Sequence, residues 1–340
     1  MDSPQDRRAL LSQLEAERGS RVIAFITGDR RGAETRIGMD VFPYFYDVLT
    51  NIGRTKRLDV LLYSTGGLTM AAWGLANLIR EFCEEFHVLI PFKAHSTATL
   101  LALGADEIVM GRMGQLSPVD PTVTGPFNPL GPHPAQPNVQ QILPLSVEDV
   151  LSYLKLAQDE ADIGGKTSMA QVFNKLSDTV KPIALGSVYR AKEQIKLLAG
   201  KLLAFHMDEK TEKARIEGII KYLTRDLFSH DYLISRREAR QHLKLKVAEA
   251  PEPLEKLMWK VFSAYADAIE LNVPYTPAAA LAGEDERTVQ LDGAFIESTE
   301  IGFVYRRVRT VKKLLPGQIP GMPAVTAFQE EALSEGWVKA

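Results

Sequence analysis

Asp59-Val60-Leu61-Leu62-Tyr63 is an apolar, strand-like run that ends on Ser64-Thr65-Gly66-Gly67, before a helix-like segment reaching Glu85. A second apolar run, Phe86-His87-Val88-Leu89-Ile90-Pro91-Phe92, ends on Lys93-Ala94-His95-Ser96-Thr97-Ala98-Thr99. Both junctions have one form: a buried strand stops, and small or hydroxyl residues begin a helix. A helix start leaves backbone N–H groups without intrahelical partners and presents a partial positive charge. Two such starts side by side make a place for an oxyanion, and a serine at one of them is where a nucleophile could stand. Gly66 and Gly67 allow a sharp turn and close approach of a substrate to the N–H groups. Taken singly, a Gly-Gly after a strand is a plain turn, and a serine at a helix start is an N-cap. Gly67 and Ser96, 29 residues apart in matching contexts, acquire meaning together.

The alternation continues on both sides. Residues 6–18 read as a short amphipathic helix closed by Gly19, and Arg21 to Ile26 as a buried strand. A polar loop over 27–38 carries Arg30 and Arg31, expected to be solvated, and a helix is predicted over 40–52. Glu107-Ile108-Val109-Met110 reads as a further strand. Near-continuous apolar strands separated by helices predict an α/β fold, with a largely parallel sheet covered on both faces. From 121 to 144 prolines crowd together, which excludes helix and central strand and predicts an extended arm. Helices return from Ser146, where Ser146-Val147-Glu148-Asp149 approximates a capping box, and are expected in several segments to about Leu271. Residues 287–296 and 301–310 read as a terminal β-hairpin, and the last thirty show no clear pattern. The expected plan is a core over 1–205 with the arm inside it, a helical extension over 206–285, and a hairpin and tail over 286–340.

At 340 residues the chain can bury a large core as one domain or two. A net charge of −3 gives no reason to expect nucleic acid as partner. The single cysteine, Cys83, read as a small helical core residue, rules out an internal disulfide and suits a reducing, cytoplasmic compartment. The charged start, Met1-Asp2-Ser3-Pro4, lacks the apolar stretch of a signal peptide, and no apolar run reaches the roughly 18 residues of a membrane span. Peripheral membrane association stays open. No metal-ligand spacing and no Walker or dinucleotide glycine loop is present, so no metal and no cofactor are expected.

Tyr63-Ser64-Thr65-Gly66-Gly67 resembles the glycine turn of the Clp protease proteolytic subunit and of signal peptide peptidase A. The run from His95-Ser96-Thr97-Ala98 through Gly104-Ala105-Asp106-Glu107-Ile108-Val109-Met110 resembles their nucleophile helix and following strand. The serine dehydrogenase proteinase family, a relative with the same crotonase-like fold, is the nearest likeness. Leu116-Ser117-Pro118-Val119-Asp120-Pro121 is similar to its Gly-Pro-Val-Asp-Pro segment, and Ser229-His230-Asp231-Tyr232-Leu233-Ile234 to its His-Asp motif. The resemblance implies a homo-oligomeric serine peptidase acting on peptides or proteins. In it Ser96 is the nucleophile, the turn at Gly66 and Gly67 with Thr97 forms the oxyanion hole, His230 is the base and Asp120 orients it. The chain departs from the pattern at Thr97-Ala98, where the family commonly has Ala-Gly, and at Ser117, where it has glycine.

Among the other histidines, His95 adjoins Ser96, but neighbours at a helix start point about 100° apart. His87 reads as a core or edge residue, His133 as a loop residue, and His206 and His242 as helix ends. A lysine base is the rival within the same chemistry, as in the Ser-Lys dyad of signal peptide peptidase A. Lys181 and Lys192 are its candidates, because such a lysine must be desolvated to lose its proton. Two readings of other classes stand beside the peptidase. One is a catalytically inactive assembly or binding protein, suggested by the departures; the other is a crotonase-type acyl-thioester enzyme using the same oxyanion geometry.

Overall fold

The computed structural model describes residues 3–133, 136–227, 229, 231–314 and 327–340. Helix α1 (Pro4–Arg18) starts at Ser3, whose side chain accepts from the Asp6 N–H while Asp6 accepts in return. It ends at Gly19 in the left-handed region. Then follow β1 (Arg21–Thr27), α2 (Phe42–Ile52), β2 (Thr55–Tyr63), α3 (Thr69–Arg80) and β3 (Cys83–Ile90). Short β4 (Lys93–Ala94) leads to α4 (Thr97–Leu103), β5 (Glu107–Met110) and β6 (Gln115–Leu116).

Residues 117–233 form a compact unit of their own. It holds β7 (Thr122–Val123), β8 (Leu130–His133), β9 (Gln136–Ile142) and β10 (Leu145–Ser146). Helices α5 (Val147–Lys155), α6 (Lys166–Thr179), α7 (Pro182–Leu203) and α8 (Lys213–Lys221) follow. The proline-rich segment is therefore not wholly loop: β8 and β9 pair antiparallel as an isolated two-stranded hairpin. Proline is tolerated there because each strand has an unpaired edge that needs no N–H donor. A small apolar cluster of Val147, Val150, Val180, Ala184, Leu185 and Val188 packs α5 on α7.

The other unit comprises 1–116 and 234–340. Its later part adds β11 (Ile234–Ser235), α9 (Arg236–Gln241), β12 (Val247–Glu249), α10 (Glu252–Ala268) and α11 (Pro277–Ala280). Three long strands close it: β13 (Glu286–Glu297), β14 (Gly302–Leu314) and β15 (Ala327–Lys339). The main sheet runs β12-β5-β3-β2-β1-β13-β14-β15. The first five are parallel, and the last three join antiparallel. The expected hairpin is thus part of this sheet, and a third strand lies on it in the stretch whose pattern was unreadable. β15 is mostly exposed along its length, so no apolar alternation marks it.

One face of the parallel strands, carrying Val22, Ala24, Leu61, Leu89 and Val109, packs on Leu10, Leu11 and Leu14 of α1 and on Leu254, Met258 and Val261 of α10. On the other, Phe45 of α2 meets Phe25 of β1 edge-on at 4.9 Å. Two expectations are corrected. Cys83 opens β3 instead of lying in a helix, and burial pushes its thiol up to about 11. Arg30 is buried, not solvated, paired with Glu270 at 2.6 Å and donating to the Val273 carbonyl at 2.8 Å. No helix among the described residues is long and apolar enough to cross a membrane.

Candidate active site

In a parallel sheet the loops leaving the carboxyl ends of the strands form the natural ligand crevice. Ser64 to Gly67 leave β2 there, and β4 continues from the end of β3. Three backbone contacts bring the two segments together. The Ser64 N–H donates to Lys93 O at 3.0 Å, the His95 N–H donates to Ser64 O at 2.9 Å, and Ser64 bridges Ala94 in parallel register.

Ser96 stands between β4 and α4 with φ 53° and ψ −113°, a conformation L side chains rarely adopt. Such a residue costs on the order of 1–3 kcal/mol and persists only where its surroundings over-determine it. Here they do. The backbone is held ahead of Ser96 by the bonds to Ser64, and behind it by Leu100 N–H donating to Ser96 O at 3.0 Å. The Thr99 hydroxyl donates to Ala94 O at 2.8 Å across the turn. Ser96 is half-buried, and its side chain does not cap the helix that follows.

Gly66 faces it. A Cβ added at Gly66, whose φ is +112°, would lie 2.8 Å from Ser96 Cβ and 3.2 Å from Ser96 Oγ. At Gly67, φ +155°, a Cβ would come 2.1 Å from the Ile37 carbonyl oxygen. Ile37 lies alongside because its N–H donates to Gly66 O at 2.9 Å and its carbonyl accepts from Leu68 N–H at 2.8 Å. Both positions therefore admit only glycine, one for the serine and one for a neighbouring backbone.

The structure thus brings together Ser96, Gly66, Gly67 and Thr97. The Gly66 N–H is taken, donating to Ser64 Oγ at 3.0 Å, so Gly66 contributes room and not a donor. Among the described residues no protein acceptor takes the N–H of Gly67 or of Thr97. Thr97 is fully buried, and its hydroxyl donates to Gly67 O at 2.7 Å, tying the first residue of α4 to the glycine turn.

The remaining expected residues belong to the 117–233 unit. Asp120 is half-buried, and its Oδ2 accepts from the Ser146 hydroxyl at 3.3 Å. Lys181 is exposed just before α7. Lys192, on α7, is half-buried; burial and then the Arg225 and Lys196 charges hold its ammonium below the ordinary lysine value. His230 lies outside the described residues.

Sequence reading missed two polar groups at these strand ends. Thr27 and Ser64, both fully buried, are bonded hydroxyl to hydroxyl at 2.7 Å. Beside them Asp29 accepts from Lys93 Nζ at 2.7 Å and from the Tyr63 hydroxyl at 2.5 Å. Burial opposes its ionisation, yet these two partners hold the Asp29 carboxyl below its ordinary value. Lys93, three residues before Ser96, is therefore committed to Asp29. The signal was the position of Thr27 and Ser64 one step past the pair Ile26 and Tyr63, which is visible only once strand register is known.

Two uncharacterized proteins of Methanocaldococcus jannaschii are similar in sequence. One is 32% identical over 125 residues, covering 34% of this chain and 42% of its own length. The other is 28% identical over 261 residues, covering 74% and 77%. The match thus spans less than half of the first relative. Two structures of the 1510-N membrane-bound stomatin-specific protease show a remote likeness. One, a serine-to-alanine mutant, has TM-score 0.36 at 12% identity over 67% of this chain and 80% of that one. The other, a lysine-to-alanine mutant in complex with a substrate peptide, has TM-score 0.37 at 13% identity over 69% and 78%. The profile of the ClpP-like SDH-type serine proteinases matches residues 2–131, the span that contains the glycine turn and Ser96. The likeness to that family is thus carried by residues 2–131, less than half of the chain.

Proposed function

We propose that the chain is a serine peptidase of crotonase-like, ClpP-like fold whose nucleophile is Ser96. The observation that supports it most is the strained Ser96 backbone set against the space left by Gly66, with the Gly67 and Thr97 N–H groups nearby in sequence and taken by no protein acceptor among the described residues. Strain of this kind collects at functional sites, where the fold holds a side chain in a reactive pose. Helix α4 has only seven residues, so the reading rests on the individual N–H groups and not on a helix dipole.

Ser96 Oγ attacks the peptide carbonyl carbon as a base removes its proton. The carbonyl oxygen takes up the negative charge, held by the Gly67 and Thr97 N–H groups. Collapse expels the amine, which takes the proton from the base. Water then repeats the sequence on the acyl-serine and frees the acid. His230 is the proposed base and Asp120 its orienting carboxylate. Lys192 is the second reading, because its lowered pKa is what a lysine base requires. Peptides or proteins are the substrate class, in a cytoplasmic homo-oligomer. The inactive-scaffold and acyl-thioester readings predict no acylation of Ser96.

The test is a fluorophosphonate probe with a casein or fluorogenic peptide assay, on the full chain and on Ser96→Ala. Labelling and cleavage that both disappear with the hydroxyl support the proposal. Cleavage unchanged in Ser96→Ala removes Ser96 from the mechanism.

A further inference from the structure

We infer that Ser64, held by Thr27, is a positioning residue for the oxyanion turn. The inference rests on the peptidase reading above and deepens it. Both hydroxyls are fully buried, where an unbonded hydroxyl is costly. Ser64 Oγ accepts from the Thr27 hydroxyl at 2.7 Å and from the Gly66 N–H at 3.0 Å, and its own proton lies 3.4 Å, oxygen to oxygen, from Gly66 O. The backbone of the same residue clamps the other half of the site, through Lys93 O at 3.0 Å and His95 N–H at 2.9 Å. One residue thus grips the glycine turn with its side chain and the approach to Ser96 with its main chain.

The consequence is directional. Tying the Gly66 N–H inward fixes the plane of the Thr65–Gly66 peptide. The next N–H along the chain is that of Gly67, the one offered to the oxyanion. The Gly66 carbonyl is held from the far side by the Ile37 N–H at 2.9 Å, so the turn is gripped at both ends of one residue. Thr27 in turn leaves Ser64 Oγ with its lone pairs occupied and its proton directed to the turn. An oxyanion donor works because it is in place before charge develops. Loosening the grip should therefore weaken transition-state binding and spare the ground state.

The test compares Ser64→Ala, Ser64→Cys and Thr27→Val with the parent chain, each normalised to active sites by fluorophosphonate titration. Ser64→Ala should lower kcat about tenfold or more with KM changed less than about twofold, and weaken a peptide boronate in proportion to kcat. Thr27→Val, nearly isosteric, should show a smaller loss of the same kind. The double variant should be no worse than Ser64→Ala alone, because the two hydroxyls act through one contact. Ser64→Cys should restore part of the activity. If Ser64→Ala does not fold, Thr27→Val carries the same readout. Unchanged kcat per active site in the folded variants, or a change confined to KM or to melting temperature, overturns the inference while the peptidase reading stands. A parent chain that neither labels nor cleaves overturns both.

Discussion

The Thr97 hydroxyl donates to the Gly67 carbonyl at 2.7 Å, so the residue after the serine is bonded to the glycine turn it faces. Where the resembled family commonly has a small residue, this chain has a side chain that joins the two strand ends. Thr97→Val should therefore cost about 1 kcal/mol of stability, the usual net worth of one hydrogen bond. It should also slow fluorophosphonate labelling of Ser96. Thr97→Ser keeps the hydroxyl and should restore both, as denaturant melts and labelling rates will show.

Gly66 and Gly67 should fail in different ways. Gly66→Ala places a methyl against Ser96 itself, so labelling should be lost while destabilisation stays at a few kcal/mol. Gly67→Ala drives a methyl into the main chain of Ile37, which cannot give way as a side-chain tip can. That variant should show the lower melting temperature of the two, and equal melting temperatures would contradict the geometry.

The pH dependence of labelling separates the two bases. With His230 as base, the rate should rise through a transition near about 6.5. His230→Gln should then reduce it by about a hundredfold or more, and Lys192→Met should leave it within a few-fold. A transition in the alkaline range that disappears in Lys192→Met would transfer the role to Lys192.

His87 should make the fold acid-sensitive. Burial holds its imidazole below the ordinary value, against the pull of Asp59 and Glu107. In the folded chain Arg18 Nη2 lies 3.1 Å from His87 Nδ1, the geometry of a neutral ring accepting from a guanidinium. Asp59 Oδ1 and Glu107 Oε1 stand 3.8 Å from the same nitrogen, and Glu85 Oε2 lies 3.7 Å from Nε2. Because the folded pKa is depressed, the unfolded chain binds the proton first. This contribution is complete above about 6.5 and is lost as pH falls below it. Urea midpoints should drop between pH 7.5 and 5.5, and His87→Gln should flatten that slope.

The parallel strands were legible because they are buried on both faces and read as unbroken apolar runs, and Glu107–Met110 has its expected limits. The boundary near Cys83 was not, since β3 opens on Cys83-Glu84-Glu85, whose glutamates, one exposed and one half-buried, continue the polar character of the helix end and break the apolar run. β15 was unreadable because its residues are mostly exposed and it joins the sheet through its pairing with β14. Gly66, Gly67, Ser96 and Thr97 could be picked out by residue type and by their places in two matching junctions. Thr27, Asp29 and Lys93 could not, since a polar residue at a strand end is ordinary until its neighbour across the sheet is known.

Local chemistry alone determined that two strands end in a glycine pair and a serine, because backbone freedom and side-chain type are properties of single residues. Only the tertiary structure decided that these ends meet, that Ser96 is forced to positive φ, and that Ser64 and Thr97 bind the two halves together. The physical reason is register. Which hydroxyl faces which amide depends on how parallel strands align, and that alignment is set by packing across the whole sheet.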